Sequence, residues 1–235
     1  MRFLENLDGF YGTGERDSEG RTLEEFLESY DPKKYDSPFN TTDIVVVRCK
    51  ETLTHWGQPL QVLMVKRKNH PSIGYWATPG GFVEFREDLE TGAARELMEE
   101  TGVEGLPLRQ MRTWGAYDRD PRWRVITTSY LALVEGDIPV QAGDDAADAL
   151  WMDVSLTKEA EEEEKGEKTE LWHLELTNKE QQLVLSAKVK RSISGHPLLA
   201  KESYELVSSD KIAVDHGCIL TQALLFLKNQ REMTA

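Results

Sequence analysis

Three glutamates on one predicted helix are the residues of this chain best suited to chemistry. Glu96, Glu99 and Glu100 stand at positions i, i+3 and i+4, which brings their carboxylates to one helix face. Like charges one turn apart repel by roughly 0.2–0.5 kcal/mol per pair on an exposed helix. A divalent cation would reverse this interaction, since Mg²⁺ binds carboxylates together with substrate phosphates. A solvated acidic face is the other interpretation, and the three glutamates alone favour it.

The flanking residues predict the elements that position these glutamates. Pro-Gly-Gly at 79–81 indicates a tight turn at the end of a strand. A helix is predicted to begin at Asp88, a suitable N-cap, and to end near Thr101, with Gly102 as its C-cap glycine. Glu87 lies just before this helix and can reach the same side. The predicted apolar face of the helix consists of Leu89, Ala93, Leu97 and Met98.

The whole stretch from 81 to 103 resembles the box motif of the Nudix hydrolases. Glycine, glutamate, arginine and aliphatic residues all stand at the spacing of that motif. The matching residues are Gly81, Glu87, Arg95, Glu96, Leu97, Glu99, Glu100, Gly102 and Val103. The predicted context of strand, glycine turn and helix also fits. The resemblance implies Mg²⁺- or Mn²⁺-dependent hydrolysis of a nucleoside diphosphate linked to another moiety.

The resemblance also implies a role for each box residue. The expected metal ligands are Glu96, Glu99, Glu100 and the carbonyl of Gly80. Glu87 would act as a further ligand or as a base, and Arg95 would orient the glutamates. The predicted catalytic residues are therefore Glu87, Arg95, Glu99 and Glu100. A metal-activated water would attack one phosphorus, while the metal neutralises charge developing on the phosphates.

A second segment, Arg119-Asp120-Pro121-Arg122, resembles a turn of the ADP-ribose pyrophosphatase-like branch of the family. The segments around 30–47 and 74–84 resemble that branch as well. The resemblance implies ADP-ribose as substrate, and implies substrate binding by Arg119, Asp120, Arg122 and Gly81. Arginine suits this task, because its planar fork matches phosphate geometry. A hairpin turn whose arginines pair with local acids is the alternative, and composition alone leaves the two even.

Two other groups of polar residues each allow a functional and a structural interpretation. Asp144, Asp145 and Asp148 precede a short predicted strand. In related Nudix enzymes an acid of this loop acts as a base or an extra metal ligand, but a solvated turn is equally consistent. The pair Asp215-His216 invites a catalytic interpretation, although a hydrogen-bonded structural pair near a helix start is favoured.

The pattern of strands around a central helix predicts an α+β fold. With the resemblance, this is a Nudix α/β/α sandwich with a mixed sheet, plus a C-terminal β-hairpin and helix extension. The predicted strands are 41–49, 60–66, 108–116, 125–134 and 149–154.

Three segments are predicted along the chain. Residues 1–37 form an N-terminal arm and a short helix that opens at the capping box Thr22 to Glu25. Residues 38–155 form the Nudix domain, and residues 156–235 form the extension. The extension should contain an exposed, mobile acidic connector, a hairpin and a terminal helix, at 155–170, 171–189 and 212–227.

Composition limits the partners and the compartment. The 235 residues carry a net charge of −14, which argues against broad binding to nucleic acid or membrane surfaces. Cys49 and Cys218 are the only cysteines, and we interpret them as reduced thiols of a cytoplasmic protein. No apolar run approaches the roughly 18 residues of a membrane span.

A Nudix-related transcriptional regulator is the alternative function. Such regulators append a DNA-binding winged helix and commonly have a degraded box, whereas this box is intact. Residues 155–235 contain eleven Lys and Arg against fourteen Asp and Glu, a net charge of −3. DNA binding requires a basic surface, so the charge favours the hydrolase.

A homodimer is the predicted assembly, because ADP-ribose pyrophosphatases are commonly dimers. Apolar side chains of the arm and of the hairpin support it, since such surface has to be covered. These side chains are Phe3, Leu4, Leu7, Phe10, Tyr11, Trp172, Leu174 and Leu176. The alternative is that both segments fold back on their own subunit.

Overall fold

The computed structural model describes residues 3–143 and 146–232, which divide into two compact units, Met1–Ser37 and Pro38–Ala235. Within the first unit, helix α1 (Leu23–Ser29) begins with the predicted capping box. The Thr22 hydroxyl accepts the N–H of Glu25 at 3.2 Å, and the Glu25 carboxylate accepts the N–H of Thr22 at 2.8 Å. Two donors at the helix start are thereby satisfied.

Across the described residues of the second unit, ten strands form one mixed sheet. The strands are β1 (Phe39–Cys49), β2 (Leu60–Arg67), β3 (Trp76–Ala77), β4 (Gly80–Phe82), β5 (Arg109–Trp114), β6 (Val125–Glu135), β7 (Ala146–Glu164), β8 (Glu167–Asn178), β9 (Leu183–Ser194) and β10 (Lys201–Asp210). Their order is β10-β9-β8-β7-β2-β1-β6-β5, with β3 beside β2 and β4 beside β1. β1 and β6 are parallel, and the other pairs are antiparallel.

Helices α2 (Leu89–Thr101) and α3 (His216–Glu232) cover opposite faces of this sheet. Alternate residues of β1 point to the two faces, and both sets are buried. Ile44 and Val46 join the cluster that contains Leu97 of α2, whereas Val45 joins the cluster that contains Leu224 of α3. The continuous apolar run of β1 is thus explained by burial on both sides, and the predicted α/β/α sandwich is confirmed.

Helix α2 matches its prediction closely. It ends at Gly102, which adopts a left-handed conformation with φ of 70° and donates its N–H to the carbonyl oxygen of Met98 at 2.8 Å. Asp88 occupies the N-cap position but makes no side-chain cap hydrogen bond. Of the predicted apolar face, Ala93 and Leu97 are buried, whereas Leu89 and Met98 are exposed.

The apolar side of the β8–β9 hairpin is covered within this chain. Leu174, Leu176 and Leu185 are fully buried in one cluster with Ile219 and Leu224 of α3. The apolar side of this hairpin therefore gives no support to a dimer, because α3 of the same chain covers it, as the alternative interpretation expected. Within the described residues, none of the helices has the length and apolar character to cross a membrane.

The prediction of a mobile acidic connector over 155–170 was also wrong. Most of this segment lies in β7 and β8, joined by a turn in which Lys165 and Gly166 both have positive φ, 52° and 81°. Positive φ at both central residues defines the turn type that suits two-residue hairpins. Lysines offset the acidic repulsion: Lys168 lies 3.1 Å from Glu161, and Lys188 lies 2.7 Å from Glu159.

The terminal helix begins later than predicted, at His216 rather than at 212. Trp76 of β3 donates its N–H to the carbonyl oxygen of Lys211 at 2.8 Å, and Ala213 donates to the carbonyl oxygen of Trp76 at 2.8 Å. The backbone groups that a helix would use are therefore engaged with the sheet. Val214 also has a φ of 42°, outside the right-handed helical region. Strand β10 was not predicted.

Candidate active site

The glycine turn before α2 results from two close approaches. β4 pairs with β1, which sets Gly80 opposite Asp43 and Gly81 opposite Thr42. Gly80 has a φ of +152°, and a Cβ there would lie 2.0 Å from the carbonyl oxygen of Thr42. A Cβ on Gly81 would lie 2.4 Å from a carboxylate oxygen of Glu96. Glycine is therefore required at Gly80, and any side chain at Gly81 would displace the Glu96 carboxylate.

Arg95 gathers the acidic side chains beside this turn. Its guanidinium donates to Glu87 at 2.6 Å, to Glu96 at 2.8 Å and to Glu99 at 3.0 Å. It also donates to the carbonyl oxygen of Phe82 at 3.0 Å. The hydrogen bond to Glu87 is the main reason why the pKa of Arg95 is raised and that of Glu87 is lowered. These contacts are those of a residue that orients glutamates, as the resemblance implies.

Glu96 and Glu100 lie one turn apart on α2 and line a cavity of about 350 Å³. Glu100 accepts a hydrogen bond from the N–H of Gly80 at 2.9 Å. Burial, together with the carboxylates of Glu96 and Asp43, raises the pKa of Glu100 to about 7. Burial also raises the pKa of Glu96. A cation between two such carboxylates would favour their charged forms.

Glu87 and Glu99 are not among the described residues that line this cavity. The Glu99 side chain is 50% exposed and pairs with Arg95. Glu87 is half-buried against Arg95, at the other end of the same guanidinium. Their predicted roles as ligand or base therefore stay predictions.

The carboxylates of the cavity are few, but they fit a divalent metal. Within the described residues, no three His, Cys, Asp or Glu side chains are grouped so that they could hold a metal ion. Glu96 and Glu100 nevertheless fit Mg²⁺, because this ion usually binds through one or two carboxylates and completes its shell with water and substrate phosphates. Because both carboxylates are partly buried and repel each other, a bound cation would stabilise their charged forms.

The four predicted substrate-binding residues, Arg119, Asp120, Arg122 and Gly81, all line the cavity. Arg119 is buried and holds Asp215 through two hydrogen bonds of 2.9 and 3.0 Å. Arg122 is half-exposed and holds Asp120 at 2.7 Å, a bond that lowers the pKa of Asp120. Both arginines thus have acidic partners, as the alternative interpretation expected, while their position suits substrate contact.

Four charged residues of the cavity are not among the candidate residues of the sequence analysis: Asp43, Lys66, Arg67 and Lys68. Asp43 lies in β1, is buried, and accepts a hydrogen bond from the Thr127 hydroxyl at 2.7 Å. Arg67 ends β2 and donates to the carbonyl oxygen of Pro71 at 2.7 Å; burial lowers its pKa. A signal existed for Asp43, since a carboxylate inside an apolar strand has to be paired or functional.

The N-terminal end of α3 also reaches the cavity, through Asp215 and His216. Asp215 binds Arg119, and His216 binds Thr78, so each member of this pair has its own partner. Both are hydrogen-bonded near the helix start, as predicted. Their position in the cavity depends on the bridge between 211–213 and β3, which has no signature in the sequence.

The described part of the acidic segment 144–148 lies at the start of β7 and contributes no residue with a catalytic contact. Asp148 accepts the N–H of Ala149 at 2.9 Å and lies 3.5 Å from the amide nitrogen of Gln181. It does not line the cavity, as far as the described residues show. Asp144 and Asp145 lie outside the described residues.

The fold and the site together define a class of α/β/α proteins with a glutamate helix behind a glycine turn. The NUDIX domain family model matches residues 40–172. Because this match covers more than half of the chain, the protein belongs to the Nudix family.

Several proteins of known name or structure are similar to this chain. It is 41% identical over 106 residues to the ADP-ribose pyrophosphatase of Methanocaldococcus jannaschii, which covers 45% of this chain and 62% of that protein. It is 39% identical over 111 residues to the ADPR responsive transcriptional repressor NtrR of Acinetobacter baylyi, which covers 46% of this chain and 42% of that protein. The chain thus spans about half the length of the curated relatives it matches.

A solved structure extends the likeness beyond these segments. The crystal structure of a MutT/nudix family protein from Enterococcus faecalis superimposes with a TM-score of 0.62 at 29% identity. The superposition covers 89% of this chain and 70% of that chain. The shared fold therefore includes part of the C-terminal extension as well as the box.

Proposed function

We propose that this protein is a Mg²⁺-dependent Nudix hydrolase that cleaves the pyrophosphate of a nucleoside diphosphate derivative, with ADP-ribose as the substrate. The observation that carries the proposal is the cavity in which Glu96 and Glu100 face Arg67 and Arg122. It offers carboxylates for a cation and guanidinium groups for phosphates within one small volume. The named pyrophosphatase relative supports ADP-ribose.

The glutamates of α2 have the central role in this proposal. Glu96 and Glu100 would hold Mg²⁺ or Mn²⁺, with Glu99 and the Gly80 carbonyl completing the ligand set. The bound ion would neutralise phosphate charge and acidify the attacking water. Arg95 and Glu87 position the glutamates, because their ion pair fixes the side of α2 next to Gly81. The pairing makes Glu87 a weak base, since its pKa is lowered.

The cavity cations would bind and orient the substrate. Arg67, Arg119 and Arg122 line it together with two lysines that flank Arg67 in the sequence, Lys66 and Lys68. In a chain of net charge −14 they supply local attraction for a pyrophosphate. Hydrolysis would join the water oxygen to one phosphorus and break the bond from that phosphorus to the bridging oxygen. AMP and ribose 5-phosphate are the products.

A substrate panel tests this proposal. Nucleoside diphosphate derivatives, including ADP-ribose, are incubated with the full chain and Mg²⁺, and the products are resolved by chromatography. We expect AMP and ribose 5-phosphate from ADP-ribose, abolition of turnover by EDTA, and recovery when Mg²⁺ is restored. Absence of turnover with every member of the panel would reject the hydrolase.

A transcriptional regulator is the second candidate, favoured by the similarity to the NtrR repressor. Two observations weigh against it: the net charge of −3 over residues 155–235, and the continuation of β7 from the main sheet into the extension. Electrophoretic mobility shift with genomic DNA fragments separates the candidates. Binding of DNA that ADP-ribose releases, without hydrolysis of ADP-ribose, would establish the regulator.

We also propose a homodimer that uses the N-terminal arm, in a cytoplasmic protein. Phe3, Leu4 and Phe10 are exposed large apolar side chains of this arm. Such side chains are often covered by a partner. Sedimentation equilibrium should give twice the chain mass of 26.8 kDa, and deletion of residues 1–21 should lower it. A mass of one chain at all micromolar concentrations would exclude the dimer.

A further inference from the structure

His216 is a buried histidine at the cavity, and it has no assigned role in the proposed reaction. It is the first residue of α3 and is only 7% exposed. The bridge between Trp76 and Ile212 holds the preceding segment against β3, which fixes where α3 begins. A residue of the C-terminal extension thus stands beside Thr78, two residues before the glycine turn.

The two nitrogens of the His216 ring have different environments. Nδ1 accepts the backbone N–H of Thr78 at 3.2 Å and lies 2.9 Å from the Thr78 hydroxyl oxygen. It is also 3.8 Å from a carboxylate oxygen of Asp43. Because Nδ1 accepts an N–H, it carries no proton, so the proton of the neutral ring is on Nε2. His216 therefore presents a fixed N–H donor at Nε2.

This Nε2 donor has no partner among the described residues, yet the protein does not enclose it fully. Three buried side-chain oxygens of the described chain lack a hydrogen-bond partner: Thr42 Oγ1, Thr221 Oγ1 and Gln222 Oε1. His216 Nε2 is not one of these fully enclosed atoms, and His216 lines the cavity. The unused donor is therefore accessible from the cavity, where a ligand oxygen can accept it.

The charges around His216 indicate which oxygen fits. Asp215 is neutralised by Arg119, and Arg67 and Arg122 line the same cavity. The N-terminal end of a 17-residue helix adds partial positive charge. The Asp43 carboxylate lies on the Nδ1 side and accepts the Thr127 hydroxyl. A donor in such surroundings matches an anionic phosphate oxygen.

We propose that His216 is a substrate-contacting residue whose Nε2–H donates to a phosphate oxygen of the nucleoside diphosphate derivative. The C-terminal extension then forms part of the binding site, rather than an appendage of the catalytic domain. This inference rests on the proposed function. Its competitor is a purely structural His216, whose task ends with the hydrogen bond from Thr78.

Two substitutions separate the roles of the two ring nitrogens. In His216→Asn the amide oxygen falls near the position of Nδ1, so the bond from Thr78 is kept and the cavity donor is lost. In His216→Gln the longer side chain returns an N–H donor near the position of Nε2 and leaves the Thr78 N–H without its acceptor. A structural role predicts that Gln is the harmful change, and substrate contact predicts that Asn is.

The measurements are KM and kcat for ADP-ribose with Mg²⁺, calorimetric binding of ADP-ribose in EDTA, and thermal unfolding. For His216→Asn we expect KM and Kd to rise roughly 10- to 100-fold, as for one lost hydrogen bond to a charged group, with an unchanged melting temperature. For His216→Gln we expect KM near the wild-type value and a lower melting temperature. Wild-type KM and Kd in a folded His216→Asn protein would overturn the inference.

A measurement on the unmodified chain guards against variants that do not fold. In protein with isotope-labelled histidine, ADP-ribose should shift the Nε2–H resonance of His216, and an unmoved resonance would overturn the inference. A wild-type protein that neither binds nor hydrolyses any member of the substrate panel would reject the proposed function and this inference together. An active wild type with an indifferent His216→Asn rejects the inference alone.

Discussion

Glu100 is the residue at which burial and charge oppose each other most directly. Its carboxylate lines the cavity beside Glu96 and accepts the Gly80 N–H at 2.9 Å. The sequence predicts an exposed acidic face at this position, whereas the structure shows Glu100 partly buried. Burial is the main cause of its raised pKa, so the cost of its charge arises from lost solvation more than from its helical neighbours.

Glu100→Gln should therefore lower activity and raise the stability of the metal-free protein. We expect kcat to fall at least ~10²-fold, because a charge that acts at a phosphoryl centre is lost. Glu104→Gln, an exposed change just after α2, is the matched control and should leave kcat unaltered. Normal turnover of Glu100→Gln at saturating Mg²⁺ would remove this face of α2 from the mechanism.

The pH dependence of wild-type stability follows from the same residue. The pKa of Glu100 is about 7 in the folded state against 4.5 for an unperturbed Glu, so the folded state binds the proton more tightly. The contribution of Glu100 to the stability of the metal-free protein should be complete below pH 4.5, and up to about 3 kcal/mol of it should be lost as pH rises to 7. Urea unfolding in EDTA measures this loss, which should be absent in Glu100→Gln. An equal loss in both proteins would contradict the assignment.

Arg122 tests the substrate turn at the level of a single side chain. Its partner Asp120 belongs to the same turn, and its guanidinium lies 5.2 Å from the centre of the Phe82 ring. Arg122→Ala should raise KM for ADP-ribose roughly tenfold or more, since one charge-assisted contact is lost. Arg124→Ala is the control, because Arg124 binds the carbonyl oxygen of Gly115 instead. Equal kcat/KM in Arg122→Ala and wild type would leave the turn a structural feature only.

Among the elements, the β7–β8 hairpin departs most from its prediction. Glu170 of β8 is buried and accepts hydrogen bonds from Trp172 at 3.0 Å and from Arg191 at 3.1 Å. Lys168 lies 3.1 Å from it. Burial by itself would raise the pKa of Glu170, but these donors lower it to about 2. A buried, paired carboxylate thus links β8 to β9, at the end of a segment for which the sequence predicts a charged linker.

Glu170→Gln should destabilise the protein at neutral pH and matter less in acid. The folded pKa of about 2 lies below the unperturbed 4.5, so the contribution is complete above pH 4.5 and disappears as pH falls towards 2. We expect a loss of roughly 1.5–3 kcal/mol at pH 7 by urea unfolding, and a shrinking difference from wild type in acid. Glu162→Gln, an exposed change on β7, serves as control and should shift stability by under about 0.5 kcal/mol. A difference between Glu170→Gln and wild type that is independent of pH would refute the ion-pair explanation.

The elements differ in how well the sequence predicts them, for a physical reason. Helix α2 has a glycine turn, an apolar face and a C-cap glycine within one short stretch, so local rules suffice. Strand β10 and the long strand β7 depend instead on pairing with neighbouring strands. The exposed end of β7, for example, pairs with β8 across the Lys165-Gly166 turn. Its strand state is stabilised by hydrogen bonds and lysines of neighbouring strands, which no local pattern of glutamates reveals.

For the whole molecule, the C-terminal helix is part of the core rather than an addition. The large apolar residues buried near the end of the described chain include Ile212, Ile219, Leu220, Leu224 and Leu225. At roughly 1.5–3 kcal/mol for each buried side chain, their burial is comparable to the roughly 5–15 kcal/mol that stabilises a typical domain.

Truncations at the two ends of the chain should therefore have opposite effects on cooperative folding. A chain that ends at Asp210 should lose its cooperative thermal transition, as measured by circular dichroism. A chain that begins at Pro38 should keep one, because residues 38–235 form a compact unit. A folded chain that ends at Asp210 would show that the sheet is stable without α3.

The sequence by itself determined the chemistry of the glycine turn and α2. Gly81, Arg95 and the three glutamates have spacings that only one local conformation can bring together, so turn, helix and acidic face were readable from residue types. Tertiary structure decided that Glu96 and Glu100 face the cavity, whereas Glu99 pairs with Arg95 outside it. It also decided that Arg67, Asp43 and His216 share that cavity. These residues come from distant parts of the chain, and their meeting depends on sheet register and on the bridge between β3 and 211–213, which are long-range interactions with no local sequence signal.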